Sequence, residues 1–347
     1  MKYIFEDVLE IKNGRNQKAV ENPEGKYPIY GSGGIIGYAD DYICSADTVI
    51  IGRKGSINNP IFVKEPFWNV DTAFGLEAKR ELLHPKYLFY FCKKYDFEKL
   101  NKTVTIPSLT KSDLLKINIE VPEMSDQENV INRLEKIEQI IELRQEELIR
   151  LDEIIKARFV ELFGEYFKGH INEKELDEVC DFIDYRGKTP EKSDEGIPLI
   201  TAKNVKDNKF FIDPQEFIPE ENYDDVMTRG IPRVNDVLFT TEAPLGNVCR
   251  IPDVYEKFCV GQRLITMQPH EDILNSEYLE YALASPEFQD KMWQKSSGST
   301  VKGIRSKLLV LLTIPVPPIA IQEEFKNFLH QVDKSKVALQ HYIKYIY

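Results

Sequence analysis

Apolar residues in this chain follow two spacing regimes, and each regime occurs twice. In the first, short β-branched runs are bounded by polar residues and glycine, as in Asp47-Thr-Val-Ile-Ile-Gly-Arg53, which reads as a buried strand. Its counterpart is Val234-Asn-Asp-Val-Leu-Phe-Thr-Thr241, which matches Ser45-Ala-Asp-Thr-Val-Ile-Ile-Gly52 and sets Asp236 beside Asp47. Pro85-Lys-Tyr-Leu-Phe-Tyr-Phe91 and Ser276-Glu-Tyr-Leu-Glu-Tyr-Ala282 each predict a helix with tyrosine and leucine on one face.

The second regime is helical. From residue 126 the chain carries no proline or glycine until Gly164, and apolar residues recur in steps of three and four: Val130, Leu134, Ile137, Ile141, Leu148, Leu151, Ile155 and Leu162. That is a coiled-coil seam, with Arg144 and Arg158 filling two seam positions. Ser125 or Asp126 can cap its start and Gly164 can end it. At about 1.5 Å per residue the helix is roughly 55 Å long. A shift of about 195 residues carries the seam onto Phe325, Leu329, Val332, Lys336, Leu339, Ile343 and Ile346, apolar at all but Lys336. The two seams can pair antiparallel, which would relate the halves by a pseudo-dyad; two amphipathic helices on separate cores is the alternative. The second helix is shorter by about ten residues, so the far end of the first would need another surface.

The same shift links Leu109-Thr-Lys-Ser-Asp-Leu-Leu-Lys-Ile-Asn-Ile-Glu-Val-Pro122 to Ile304-Arg-Ser-Lys-Leu-Leu-Val-Leu-Leu-Thr-Ile-Pro-Val-Pro317. Each stretch leads into Gln-Glu, at Gln127-Glu128 and Gln322-Glu323. The expected fold is α+β: globular α/β domains at 1–125 and 165–319 in pseudo-twofold repeat, joined by long antiparallel helices at 126–164 and 320–347. Such a molecule suits an asymmetric two-part target and a pair of identical partners.

At 347 residues, 42% hydrophobic and 11% aromatic, each half can build its own core. There is no apolar run long enough to span a bilayer, and Met1-Lys-Tyr-Ile-Phe-Glu-Asp7 is charged where a signal peptide would be apolar. Cys44, Cys92, Cys180, Cys249 and Cys259 form no Cys-x-x-Cys pair, as expected of buried thiols in a reducing cytoplasm. A net charge of −12 argues against indiscriminate coating of nucleic acid but leaves room for a local basic cleft.

Catalytic signatures are missing. No phosphate-cradling Gly-x-x-x-x-Gly-Lys-[Ser/Thr] occurs, and the histidines show no metal-ligand spacing. Pro315-Val-Pro-Pro318 lacks the leading amide or carboxylate of an amino-methyltransferase site. Glu77-Ala-Lys79 with Asp47 or Asp71 resembles part of a nuclease metal site, but Glu-x-Lys is common. The expectation is no catalytic, cofactor or metal residue. Tyr30-Gly-Ser-Gly-Gly-Ile-Ile-Gly37 suits either a strand-to-strand turn or a loop whose amides approach phosphate.

Base-edge reading needs Arg, Lys, Asn, Gln, Ser or Thr on loops held by a rigid scaffold. In the first half the candidates are Ser32, Arg53, Lys54, Ser56, Thr105, Ser108 and Lys111. In the second they are Arg186, Lys188, Lys203, Asn204, Gln262, Arg263, Ser299, Lys302 and Arg305. Any one of them also suits an ordinary solvated loop; their recurrence in both halves favours a DNA-facing surface.

Taken in order, several segments resemble the specificity subunit of type I restriction–modification systems over essentially the whole chain. In the first half they are Tyr27-Pro-Ile-Tyr-Gly-Ser-Gly-Gly-Ile-Ile-Gly-Tyr38 and Ala46-Asp-Thr-Val-Ile-Ile-Gly-Arg-Lys-Gly-Ser56. In the second they are Gly196-Ile-Pro-Leu-Ile-Thr201, Asn235-Asp-Val-Leu-Phe-Thr240 and Gly246-Asn-Val248, with the paired junctions at Val121-Pro122 and Val316-Pro317. The resemblance implies two target recognition domains, each reading one half of a split site in double-stranded DNA. Two spacer helices would set the half-site distance and dock two modification (methyltransferase) subunits, and restriction subunits would join that core. S-adenosylmethionine, ATP and magnesium would then belong to the partners. A methylation-only or phage-defence assembly would use the same chain, and a two-domain protein scaffold is the rival of another class.

Overall fold

A computed structural model describes residues 1–102, 106–185, 190–261 and 263–346. They form two compact units, Met1–Leu143 and Arg144–Tyr347. No helix among the described residues is long and apolar enough to cross a membrane.

The first unit runs β1 (Lys2–Ile4), α1 (Phe5–Val8), β2 (Leu9–Asn13), β3 (Tyr27–Gly31), β4 (Gly34–Ala39), β5 (Thr48–Gly52), β6 (Ile61–Val63), β7 (Trp68–Asn69), β8 (Ala73–Ala78), α2 (Pro85–Lys94), α3 (Lys111–Leu114), β9 (Asn118–Glu120) and into α4 (Met124–Lys168). One sheet has the order β2-β8-β5-β6, another β4-β3-β7, and β1 pairs with β9. The apolar run in β5 follows from its central place. Val49 and Ile51 pack toward Leu88 and Leu114, while Ile50 packs toward Val63 and Phe67. Side chains alternate along a strand, so a strand covered on both faces must be apolar throughout.

The second unit follows the same plan: β10 (Glu173–Glu175), α5 (Leu176–Val179), β11 (Cys180–Asp184), β12 (Ile197–Ile200), β13 (Val205–Lys206), β14 (Lys209–Phe210), β15 (Phe217–Ile218), α6 (Tyr223–Val226), β16 (Val237–Thr241), β17 (Leu245–Arg250), β18 (Cys259–Val260), β19 (Leu264–Pro269), α7 (Ser276–Ala284), α8 (Pro286–Lys295), α9 (Ser306–Leu309), β20 (Thr313–Pro315) and α10 (Ile319–Ile346). Its sheets are ordered β11-β19-β16-β17 and β15-β12-β18, and β10 pairs with β20. Strand register corrects the alignment of Asp47 with Asp236 by one residue. Val49 faces Leu76 as Val237 faces Met267, and the left-handed backbone sits at Asp47 and Asn235. A slip of one residue would have exchanged the two faces of β16.

The repeated stretch closes each unit. Leu109, Leu114, Ile119 and Val121 enter one core, and Ile304, Leu309, Ile314 and Val316 enter the other. The glutamine that follows is fully buried in both. Gln127 accepts from the His84 N–H (2.8 Å) and donates to the carbonyls of Leu82 and Pro122 (both 2.9 Å). Gln322 accepts from the Asn275 N–H (2.9 Å) and donates to Ile273 and Pro317 (2.9 and 2.7 Å). Each amide thus joins the start of its long helix to the cap of α2 or α7.

The long helices depart from expectation in their ends and in the face they bury. Ser125 and Asp126 lie inside the first turn of α4, and Gly164 lies within the helix. Phe163 and Phe167, buried on either side of that glycine, hold the last turn in place. The chain leaves the helix at Gly169, whose N–H donates to Glu165, followed by left-handed His170. In the first unit Val130 (39% exposed) and Ile137 (38%) are not buried and Leu134 is half-buried, whereas Ile131 and Ile141 are buried. The inward stripe is rotated because this part of α4 docks on α2: Lys86 pairs with Glu135, and Tyr90 and Lys93 bond Glu138 at 2.7 and 2.8 Å.

In the second unit Leu148 and Leu151 are half-buried and Ile155 is buried, and the stripe continues through Phe159, Phe163 and Phe167, with Leu162 half-buried against the same core and Arg158 half-buried beside it. This part of α4 packs antiparallel on α10. Arg158 pairs with Glu324, Phe159 lies 5.4 Å from Phe325 between ring centres, and Asp152 meets Lys336 at 2.6 Å. Phe325, Leu329, Val332 and Leu339 are buried and Ile343 is half-buried.

Candidate nucleic-acid interface

In the first unit the candidates gather where β5 leaves its sheet. Gly55, at φ +80°, turns the chain so that its N–H reaches Pro107 O at 3.0 Å. Lys54 pairs with Ser108, and the Leu109 N–H donates to Arg53 O at 2.9 Å. The tight β3–β4 turn brings Ser32 against Gly52. Ser32, Arg53, Lys54, Ser56 and Ser108 therefore share one edge, with Arg53, Lys54 and Ser56 exposed. Lys111 does not join them: its Nζ donates to Ile11 O at 2.7 Å, anchoring α3 on β2. Thr105 lies outside the described residues.

The second unit builds the same edge from different side chains. The Thr241 N–H donates to Arg263 O at 2.8 Å as the Arg53 N–H donates to Thr72 O at 2.7 Å, and Ile304 bonds Thr241 as Leu109 bonds Arg53. Thr241 thus occupies the place of Arg53, Glu242 that of Lys54, and Arg263 that of Thr72. Arg263 is exposed and pairs with Glu242 at 3.2 Å. It lines a cleft of about 300 Å³ together with Lys192, Lys203, Lys206, Thr201 and Glu216.

Burial works to raise the Glu216 pKa, but its ion pairs with Lys203 (2.7 Å) and Lys192 (2.9 Å) hold it below the ordinary range. The Lys192 ammonium compensates the second carboxylate oxygen by charge rather than by an aligned hydrogen bond. Among the described residues the cleft is thus lined by four cationic side chains and the ionised Glu216, with Glu242 paired to Arg263, in a chain that is acidic as a whole. Ser299 and Lys302 are exposed on a loop closed by two Ser297–Gly303 hydrogen bonds, and that loop meets Glu242 through Gly303. Arg305 is exposed at the start of α9.

Asn204 is a correction. It is buried, and its amide donates to Phe211, Ile212 and Pro214 carbonyls at 3.0–3.2 Å, so it holds a turn together. Arg186, Lys188 and Gln262 lie outside the described residues. The nuclease-like carboxylates are also engaged structurally: Asp47 pairs with Arg80, and Glu77 accepts from the Ser45 N–H.

Sequence reasoning missed Arg15, exposed beside the first edge. Its trace was present in the sequence, because Arg15 and Arg186 follow the ends of β2 and β11 by the same two residues.

Comparison with known proteins bears on the family and the fold. The family described as the type I restriction modification DNA specificity domain matches residues 2–153 and again 169–345. The MjaVIII specificity subunit of Methanocaldococcus jannaschii is 23% identical over 310 residues, covering 83% of this chain and 70% of that protein. The EcoBI specificity subunit of Escherichia coli is 20% identical over 343 residues, covering 89% of this chain and 71% of its own length. Among solved structures, the type I S subunit from M. genitalium superposes with TM-score 0.56 at 18% identity, covering all of this chain and 92% of that one. A chain from a structure of type I R-M complex assembly gives 0.63 at 17%, covering all of this chain and 94% of that one. At these identities the structural likeness speaks for the fold.

Proposed function

The chain belongs to the type I restriction modification DNA specificity family, and from that premise we propose that it is the non-catalytic sequence reader of a type I restriction–modification complex. Each unit reads one half of a split, asymmetric site in double-stranded DNA. The long helices carry two methyltransferase subunits, and restriction subunits join that core. S-adenosylmethionine, ATP and magnesium act on those partners.

The observation that carries this reading is one edge built twice by the same backbone bonds, with different side chains on each copy. A reader of two unlike half-sites needs a constant scaffold and a variable face. Reading a correct base pair is worth roughly 1–3 kcal/mol, and rigid linkage of two modest half-sites sums their energies.

The test is sequencing of methylated bases in the source genome with and without this gene. Loss of methylation at one motif, two specified blocks around an unspecified gap, is the expected result. Unchanged methylation while the partner genes are expressed would overturn the reading.

A further inference from the structure

Arg15 stands on unusually constrained backbone. Its N–H donates to Asn69 O at 2.9 Å, and its carbonyl accepts from Trp68 Nε1 at 3.0 Å. Gly14 permits that approach, since a β-carbon there would lie 1.8 Å from Val70 O. Arg53 is fixed to the other side of the same turn: its N–H reaches Thr72 O at 2.7 Å, and its guanidinium lies 3.5 Å from Asp71 O. Two exposed arginines therefore flank residues 69–72, and among the described residues neither is paired with a carboxylate. In a chain of net charge −12, guanidinium groups without a carboxylate partner among the described residues, on a rigid platform, are suited to an anionic partner.

The internal repeat separates their roles. Strand register sets Asn13 opposite Phe74 and Asp184 opposite Ile265, which puts Arg15 and Arg186 at one shared position of the sequence. The positions of Arg53, Lys54 and Thr72 differ between the units, being Thr241, Glu242 and Arg263 in the second. Two units that read unlike half-sites can share only those contacts that carry no sequence information, and contacts to phosphate are of that kind. Resting on the function proposed above, we propose that Arg15 is a phosphate-positioning residue that sets the first unit on the DNA backbone, with Arg186 its counterpart. The differing positions, Arg53 and Arg263 among them, are left to read bases.

The test uses the assembled complex with its partner subunits, on duplexes with and without the methylated motif. Arg15→Ala should weaken binding to both duplexes by the same factor and leave the methylated motif unchanged. The salt slope should fall by about one, so the ratio of wild-type to variant affinity should close about 3.5-fold between 50 and 200 mM salt. Arg15→Lys should keep the salt slope, which separates loss of charge from loss of fold. Arg186→Ala should behave as Arg15→Ala does. A changed motif, or a changed ratio of target to non-target affinity, would overturn the assignment by making Arg15 a reader. Unaltered affinity and slope in Arg15→Ala would remove it from the contact surface. If the wild-type complex itself shows no preference for the motif, the functional reading fails instead.

Discussion

Where the first unit packs Phe62 against Phe89, the second sets Arg250 against Glu280. The ring centres are 5.7 Å apart in one, and the ion pair spans 2.8 Å in the other. The places are equivalent: Phe62 pairs with Val49 and Arg250 with Val237, while Phe89 and Glu280 follow their helix caps by the same five residues. In the neighbouring contact the carboxylate changes sides. Lys86 meets Glu135 of α4, whereas Glu277 meets His330 of α10 at 3.3 Å and Arg250 at 3.0 Å. The glutamine bracket beneath them is unchanged. One docking geometry therefore tolerates an apolar or an ionic filling, provided the filling is complete in itself.

The ionic version is the fragile one. Burial disfavours the charge on Glu280 and raises its pKa, against the nearby Arg250 guanidinium. Arg250→Met should destabilise the second unit by about 3–5 kcal/mol, because it strands the half-buried Glu280 carboxylate and leaves buried Glu277 with His330 alone. Lys86→Met, at a half-exposed pair, should cost the first unit about 1 kcal/mol or less. Carrying the first unit's residues across as a set (Arg250→Phe, Glu277→Lys, Glu280→Phe and His330→Glu) should recover most of the loss. Denaturant unfolding with hydrogen exchange resolved by unit would measure all three. Equal costs for Arg250→Met and Lys86→Met would break the comparison.

Next in size are the brackets the units share. Gln127→Leu and Gln322→Leu each leave a buried N–H and two carbonyls without their partner, at about 2–3 kcal/mol. The two losses should agree within about 0.5 kcal/mol; a clear inequality in thermal unfolding would mean that the brackets are not equivalent.

The smallest effect concerns acid. Glu173 is half-buried, and although burial acts to raise its pKa, bonds from Lys291, His170 and Thr313 bring it down to about 2. A depressed carboxyl stabilises the fold above its unfolded pKa and loses that contribution as pH falls through the folded value. The second unit should therefore lose about 1–2 kcal/mol between pH 4.5 and 2, and Glu173→Gln should flatten that segment of the profile. The corresponding edge of the first unit carries the exposed Lys2–Glu120 pair instead. Urea midpoints across that pH range would decide it.

The sequence alone determined the duplication, the α+β class, the family, the two long helices and the central strands. These follow from local periodicity and internal repetition, which packing does not rewrite. The repeated Leu109–Pro122 and Ile304–Pro317 stretches were legible because each must fill the same cavity. Tertiary structure decided which side of each feature is used. Ile131 rather than Val130 faces inward because α2 supplies the surface that α4 meets, and Phe159, Phe163 and Phe167 extend the seam beyond Ile155 because α7 and α10 converge on them. Asn204 and Lys111 read as DNA contacts in a linear chain, but neighbouring carbonyls claim their donors. Arg15 escaped notice because its one trace, the match with Arg186, emerges only when strand register aligns the two units; the turn at 69–72 then brings it to the edge that also bears Arg53. A side chain's chemistry is written in the sequence, but its direction is set by the residues packed around it.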